Sequence, residues 1–185
     1  MSSDVQKPYD MIIDYVSGRE VPDIGTEQHR QAMEKILVEE KGYPVESIGV
    51  DVPLSLEVGG ELYHTQLDLV VRVDNQPFMV IKCAAGSFES RQKEVVAAAR
   101  VLGPAPLPYA AVSDGNKAMV YDSVTRKKIG EGMDQLPSYE AARNIMEGFQ
   151  AEPLDAQMLE REKIIFRSYD SMNLNVQRKL ENRLV

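Results

Sequence analysis

An acidic residue and a lysine on neighbouring predicted strands are the feature of this sequence that could most readily do chemistry. Asp68 lies inside the apolar run Leu67-Asp68-Leu69-Val70-Val71, and Lys82 lies on the strand that follows. Because an Asp74-Asn75 turn joins the two strands, they pair side by side and bring Asp68 and Lys82 together. A carboxylate and an ammonium among apolar residues indicate either a functional site or a structural ion pair without chemistry.

Other patterns for chemistry are incomplete. His29 and His64 lie on separate elements beside a single cysteine, so no zinc cluster is encoded. The sequence has neither a glycine-rich phosphate loop nor a dinucleotide-binding fingerprint. Cys83 lies on a predicted strand, where a buried and inert thiol is typical. One cysteine also excludes an internal disulfide and fits a reducing compartment, so we expect a cytoplasmic protein.

Length and composition predict one globular domain. A chain of 185 residues, 43% hydrophobic and 27% charged, can bury one core but is too short for two ordinary domains. No apolar run approaches the roughly 20 residues that a membrane-spanning helix needs. The first residues do not resemble a signal peptide, so we expect no membrane partner.

The net charge of −8 argues against tight DNA binding by the unaided chain. Nucleic-acid binders usually neutralise phosphates with a basic face, and this sequence offers only short basic clusters. These are Arg126-Lys127-Lys128, in a predicted hairpin turn, and Arg178, Lys179 and Arg183 near the C-terminus. Short clusters of this kind are more often solvated surface, so we expect any DNA binding to be weak and strongly salt-dependent.

Hydrophobic periodicity and turn residues predict an α/β domain with a mixed central sheet flanked by helices. The predicted helices are 9–16, ended by Gly18, then 26–41 with Thr26 as N-cap, 89–102, 138–147, and a longer one from 153 onward. The predicted strands are 48–58, 62–73, 78–83, 109–112 and 118–121, and the segment from 17 to Gly25 is a predicted loop.

Two faces are predicted in more detail. Strand alternation places one set of side chains of strand 62–73 together and the other set on the opposite face. The first set is Tyr63, Leu67, Leu69, Val71 and Val73, and the second is His64, Gln66, Asp68 and Arg72.

The last helix has an apolar stripe of Leu154, Met158, Ile165, Tyr169, Met172, Val176 and Leu180. Such a stripe is usually a core-facing surface, and its length also leaves a homodimer or a protein partner open.

Several segments follow one another in the order and spacing of a known family. They are DYVSGREVPD, TEQHRQ, KGYPVESIGVDVPL, QLDLVV, NQPFMVIKCAAG, VLGPAPLPYAAVSDG and KAMVYD. In this order they resemble the N-terminal nuclease domain of the restriction subunit of type I restriction enzymes, a PD-(D/E)XK nuclease. The resemblance implies a restriction-endonuclease-like domain over residues 1–135, with residues 136–185 as a helical extension packed on the same domain.

The resemblance also implies where a catalytic site would lie. In such nucleases a helix Glu, a strand Asp and a Glu-x-Lys pair on the next strand hold a divalent metal and position water. Glu27 matches the helix acid and Asp68 matches the strand Asp. The Glu-x-Lys pair, however, is replaced by Lys82 and Ala84. The implied site of Asp68, Glu27 and Lys82 is therefore degenerate, with Asp68 and Glu27 as the metal ligands that remain.

The replacement of a ligand by lysine disfavours a metal. A +1 charge about 4 Å from a +2 ion costs roughly 8 kcal/mol at an effective dielectric near 20, before screening. The Gln and Tyr of the following helix fall at Glu94 and Ala98, so that motif is absent too. Glu89 or Glu94 could still supply a substitute ligand. We expect Lys82 to occupy the metal position, bonded to Asp68 and with Glu27 as a candidate second partner.

Three functions remain open on the sequence. The first is a nuclease-fold protein without nuclease activity and without a cofactor, acting as a structural or binding module. The second is an active endonuclease that uses Mg²⁺ or Mn²⁺ with relocated ligands. The third is a stand-alone accessory protein of a restriction or DNA-processing system, because no helicase motor follows the domain.

Overall fold

A long antiparallel hairpin begins the central sheet, because two alternating segments flank the Gly59-Gly60 turn. The computed structural model describes the backbone of residues 9–181 and the side chains of residues 9–172. Its strands, in chain order, are β1 (Met11–Ile13), β2 (Glu20–Pro22), β3 (Ile48–Val58), β4 (Glu61–Val73), β5 (Gln76–Cys83), β6 (Tyr109–Ser113), β7 (Ala118–Asp122) and β8 (Lys128–Glu131). Strands β3 to β8 form one six-stranded sheet in sequence order.

The sheet is mixed because one connection crosses over it. Strands β3, β4 and β5 are antiparallel, β5 and β6 are parallel, and β6, β7 and β8 are antiparallel. Parallel neighbours need a crossover, and helix α2 (Glu89–Val101) supplies it between β5 and β6. The predicted α/β class with a mixed, helix-flanked sheet is confirmed.

Helices cover both faces of the sheet. Helix α1 (Glu27–Lys35) continues as a π-helical turn, Ile36–Glu40, and packs on one face together with α3 (Tyr139–Gly148). Helix α2 and the long α4 (Ala156–Glu181) pack against each other on the opposite face. None of the helices in the described part of the chain has both the length and the apolar composition needed to cross a membrane.

Two predicted segments differ from the structure. Residues 9–16 are not a helix, since Met11–Ile13 pairs with Glu20–Pro22 in a separate two-stranded sheet. Asp14 redirects the chain between them: its carboxylate accepts the N–H of Ser17 at 2.6 Å, and its own N–H donates to the Arg19 carbonyl. An aspartate that bonds to nearby backbone N–H groups favours a turn over a helix.

The region after β7 contains a strand that the sequence patterns do not predict. Lys128–Glu131 forms the edge strand β8, which pairs with β7. Strand β8 is short and carries charged residues, so it shows no hydrophobic alternation in the sequence. An edge strand has little apolar surface to bury. The remaining predicted helices and strands are confirmed with small shifts at their ends.

The alternation of β4 resets at Leu67-Asp68, which corrects the predicted faces. Leu67 packs on the α2 and α4 side of the sheet, whereas Leu69, Val71 and Val73 pack on the α1 and α3 side. The sequence places all four on one face, and this is wrong. The neighbouring strand β3 is irregular at the same level, where Asp51 has φ of 51°. As a result Leu67 and Asp68 both lie on the α2 side.

The buried face of α4 also differs from the predicted apolar stripe. Glu162, Phe166 and Asp170 are at most 3% exposed, whereas Met158 and Met172 are about half exposed. The two buried acids are retained because they pair with buried donors on the sheet and on α2. The side chains of Val176 and Leu180 lie outside the described residues, as do those of Arg178, Lys179 and Arg183.

Helix α1 is fixed to the sheet at the turn between β6 and β7. Gly115 has φ of 83°, and a Cβ there would lie 2.7 Å from the Ala32 Cβ and 3.1 Å from the His29 carbonyl oxygen. The His29 ring is also hydrogen-bonded to the Asp114 carbonyl. The close approach of turn and helix therefore requires glycine at position 115.

We predict that Gly115→Ala lowers the free energy of unfolding by about 2–4 kcal/mol, since it adds a clash to an unfavourable positive φ. Gly59→Ala is the matched control, because Gly59 has φ of 60° with no atom within 4 Å of the added Cβ. That variant should lose only about 1–2 kcal/mol. Urea unfolding of both variants measures the difference, and equal losses would contradict a close contact at Gly115.

Candidate functional site

Lys82 is the centre of a partly buried charge cluster between the sheet and two helices. The register Leu69↔Ile81, extended by one residue, sets Asp68 opposite Lys82 on adjacent strands. The Lys82 Nζ lies 3.4 Å from Asp68 Oδ1 and 3.1 Å from Glu94 Oε1, on α2. The predicted approach of Asp68 and Lys82 is confirmed, and Glu94 joins them.

The oxygens of Asp68 are both engaged. While Oδ1 faces the Lys82 ammonium, Oδ2 accepts the backbone N–H of Cys83 at 2.8 Å. That second bond is made by the strand itself, so it holds the carboxylate against β5. Asp68 is thereby fixed in one orientation by a charge and a backbone donor.

A third acid, Asp170 on α4, borders the same space. It is 3% exposed, and its Oδ2 accepts the hydroxyls of Tyr63 at 2.8 Å and Thr65 at 2.6 Å, both on β4. These bonds tie α4 to the hairpin strand. The Asp170 charge also acts on Lys82 and Glu94 and is part of the cluster's electrostatics.

Lys82 is therefore surrounded by three carboxylates, and Arg91 is a second, more distant cation 3.8 Å from Glu94. Burial lowers the pKa of Lys82, but the charges of Asp68 and Glu94 more than offset burial and raise it above its ordinary value. Burial raises the pKa of Glu94, and Lys82 offsets this only in part. Lys82 thus stays charged, and Glu94 takes up a proton more readily than an exposed glutamate.

The space within the cluster is small. The cavity bordered by Asp68, Lys82, Glu94 and Asp170 has a volume of about 10 Å³, at the lower limit for a single water molecule. Among the described residues, no group of three His, Cys, Asp or Glu side chains is arranged to hold a metal ion. Within this space the Lys82 ammonium lies next to Asp68 and Glu94.

Glu27 belongs to a different cluster, on the α1 side of the sheet. Its carboxylate bonds to Arg30 at 2.7 Å and to the Gln31 amide at 2.8 Å. Among the described residues it bonds to neither Lys82 nor Asp68, so Glu94 takes the place expected for Glu27. Whether Glu27 or Asp68 ever binds metal stays a prediction.

Arg30 gathers this second cluster. It is 6% exposed, and its guanidinium lies 3.1 Å from Asp14, 2.7 Å from Glu27 and 2.9 Å from Asp51. Burial lowers the pKa of Arg30, but the hydrogen bond with Glu27 and the surrounding acids give a net increase. The cluster joins the β1–β2 hairpin, α1 and β3 through one cation.

Of the acids in this cluster, Glu34 lies farthest from the Arg30 guanidinium. It is fully buried, its Oε1 is 3.8 Å from Arg30, and its Oε2 accepts the Val16 N–H at 3.2 Å. Burial and the charge of Asp14 raise the pKa of Glu34 to about 8. Glu34 is therefore mostly protonated at neutral pH.

Comparison with known families decides the relationship of the chain. Residues 25–137 match the family described as type I restriction enzyme R protein N terminus (HSDR_N). The chain belongs to this family. Searches of curated proteins and of solved structures gave no match.

Most of the Lys82 cluster lies inside the matched region of this R protein N-terminal domain. Asp68, Lys82 and Glu94 fall within residues 25–137, whereas Asp170 lies beyond it, on α4. Sequence reasoning names Glu94 only as a substitute ligand and misses Asp170. The spacing of Glu162, Phe166 and Asp170, on one helical face, is the signal that could have located it.

We predict that Lys82→Met lowers the free energy of unfolding by about 2–4 kcal/mol at pH 8, since it removes the cation closest to Asp68 and Glu94. Lys82 is 20% exposed, which keeps this below the loss for the deepest pairs. The matched control is Lys128→Met, which removes an ion pair whose partners are 49% and 60% exposed and should cost below about 0.5 kcal/mol.

The loss of unfolding free energy in Lys82→Met should also depend on pH. In the folded chain the pKa of Glu94 lies above its unfolded value of about 4.5, so the stability that this group contributes is fully present below about pH 4.5 and is lost as pH rises through the folded pKa. Removing Lys82 should raise the Glu94 pKa further, so the stability of Lys82→Met should fall more steeply with rising pH than that of the native protein. Urea unfolding at pH 5 and pH 8 tests this, and an equal deficit at both values would contradict it.

The raised pKa of Glu34 gives a second pH prediction. Its folded pKa of about 8 exceeds its unfolded value of 4.5, so stability falls as pH rises between these values and levels off above them. Glu34→Gln keeps a neutral group there and should remove this fall, a change of roughly 2–5 kcal/mol across the window. Thermal unfolding of both proteins from pH 5 to 9 measures it, and parallel curves would refute the assignment.

Proposed function

We propose that this R protein N-terminal domain is a PD-(D/E)XK nuclease fold without metal-dependent nuclease activity, acting as a structural or binding module in a restriction or DNA-processing system. The observation that carries the proposal is the Lys82 ammonium, held between Asp68 and Glu94 where catalysis would need a divalent cation. A permanent cation supplied by the chain satisfies the carboxylates without metal.

The residues present do not fit a divalent metal. Magnesium prefers an open octahedral shell of oxygens and keeps several waters. The Asp68 oxygens are engaged by Lys82 and by the Cys83 N–H, and the cavity has a volume of only about 10 Å³. Ala84, where the resemblance implies the catalytic lysine, is 2% exposed and packs in the apolar core. The position therefore lacks a charged group that could stabilise a reacting phosphate.

What remains is the rigid scaffold and its surface. The chain has a net charge of −8, which supports weak and salt-dependent contact with DNA rather than tight binding. The half-exposed Met158, Ile164 and Met172 on α4 support contact with a protein partner or a second copy. We place such a module in the cytoplasm, together with the restriction or DNA-processing machinery.

An active endonuclease with relocated ligands is the second candidate. It is favoured by one observation, that Glu94 and Asp170 add two carboxylates beside Asp68. If Lys82 swung out toward solvent, these acids could offer a new ligand set for Mg²⁺ or Mn²⁺. The two candidates differ in whether Lys82 leaves the cluster.

A cleavage assay separates the candidates. We expect no cleavage of plasmid, linear duplex or single-stranded DNA with Mg²⁺ or Mn²⁺. Cleavage that requires metal and disappears in Asp68→Asn would establish the endonuclease. Asp68→Asn keeps the size of the side chain, so unfolding of the variant can be excluded by its melting temperature.

Melting with Mn²⁺ tests the metal position without relying on activity. The native protein should show no rise in melting temperature, because only ligands that bind the folded state stabilise it. Lys82→Glu replaces the cation with a further carboxylate beside Asp68 and Glu94, so that variant should gain stability on adding Mn²⁺. A native protein that gains as much as Lys82→Glu would revive the endonuclease.

A further inference from the structure

A second cavity lies on the outer side of the seam between α2 and α4, turned away from the Lys82 cluster. Its volume is about 340 Å³, within the range of small-molecule sites. Lys93, Arg126 and Arg161 line it, from α2, from the β7–β8 turn and from α4. In a chain of net charge −8, three cations from three elements converge on one cavity, and no acid is among the residues that line it.

The cations exceed the negative charge beneath them. Glu162, 1% exposed, lies below the cavity and pairs with Arg100 at 3.0 Å and with Arg126. Arg161 and Lys93 form no ion pair with any side chain among residues 9–172. Burial and the charges of Arg100 and Arg161 lower the pKa of Arg126, as expected where cations are crowded. An anion in the cavity would relieve this repulsion.

Arg126 is held in place by its turn. It has φ of 64°, which is unfavourable for a residue with a side chain, and the turn is closed by the Asp122 N–H donating to the Lys127 carbonyl at 2.9 Å. The Asp122 carboxylate also accepts the Thr125 N–H at 2.7 Å. The turn thus directs Arg126 toward Glu162 of α4 while its side chain stays 41% exposed, and backbone strain of this kind is common at binding sites.

The rest of the cavity is apolar and aromatic. Val96 and Ile165 form part of the wall, and the Tyr169 ring lies at one side with Lys93 Nζ 5.9 Å from its centre. The Gln92 amide adds a group that can both donate and accept hydrogen bonds. Two guanidinium groups, an ammonium beside an aromatic ring, and aliphatic side chains match a ligand that combines an anionic group with a planar, largely apolar one.

We propose that this cavity binds a nucleoside phosphate, with the phosphate on Arg126, Arg161 and Lys93 and the base against Tyr169, Val96 and Ile165. Guanidinium groups bind phosphate through paired N–H donors, and aromatic side chains stack on bases of any sequence. The volume accommodates one nucleotide. Such a ligand could be a free mononucleotide or the phosphorylated end of a nucleic-acid strand.

Titration calorimetry on the native protein tests the site. Adenosine 5′-monophosphate should bind at least about tenfold more tightly than adenosine, which lacks the anion, and than inorganic phosphate, which lacks the base. A pair of short oligonucleotides, one with and one without a 5′-phosphate, distinguishes the two sources. Tighter binding of the phosphorylated strand than of the mononucleotide assigns a strand end, and the reverse assigns a free nucleotide.

Two variants with equal loss of charge locate the binding. Arg161→Ala, which breaks no ion pair among the described side chains, should weaken the mononucleotide at least about tenfold. Lys128→Ala removes a cation outside the cavity and should change the affinity less than about twofold. Their melting temperatures confirm that both variants fold.

Three results would overturn the site: no binding of the mononucleotide at millimolar concentration, equal binding of inorganic phosphate, or equal weakening by Lys128→Ala. None of these results concerns the Lys82 cluster, so the nucleotide site and the proposed function are tested independently.

Discussion

The ammonium of Lys82 is the interaction on which the middle of the molecule depends. It lies within 3.4 Å of Asp68 on β4 and 3.1 Å of Glu94 on α2, and the charge of Asp170 on α4 also acts on it. Without Lys82, a hairpin strand and two helices would bring carboxylates together beside a cavity that holds at most about one water, with only the more distant Arg91 to offset their charge. Repulsion in such surroundings is strong, because little solvent is present to screen it. The same cation explains how these acids can lie close together in the folded chain.

Buried ion pairs hold the other layers in the same manner. Arg30 joins the β1–β2 hairpin, α1 and β3 on one side of the sheet, and Arg100 joins α2 to Glu162 of α4 on the other. A buried pair adds little net stability over apolar packing, but a partner left alone is costly. These pairs therefore favour one arrangement of the helices over shifted ones. The buried charges of α4 can pair in only one position on the sheet and α2, whereas a purely apolar face could pack in several.

The net charge of this protein is negative, but one of its surfaces is locally positive. A value of −8 argues against a nucleic-acid binder as a whole, yet the α2–α4 seam concentrates cations around a cavity of about 340 Å³. Potential near a surface depends on the few charges within about 10 Å, the screening length at moderate salt. The acids that dominate the total are spread over other surfaces or consumed in buried pairs.

The α/β class, the mixed sheet, most element boundaries and the family follow from the sequence alone, because local periodicity, turn residues and the order of motifs are written along the chain. The sequence also placed Asp68 beside Lys82, since a hairpin register follows from neighbouring residues. Only the tertiary structure decided that Glu94 and Asp170, and not Glu27, share that site. The reset of β4 at Leu67-Asp68, the charged face of α4 and the return of Arg126 onto Glu162 likewise depend on contacts between residues distant in sequence. Such contacts are selected by the pairing of buried charges across layers, which a one-dimensional pattern does not encode.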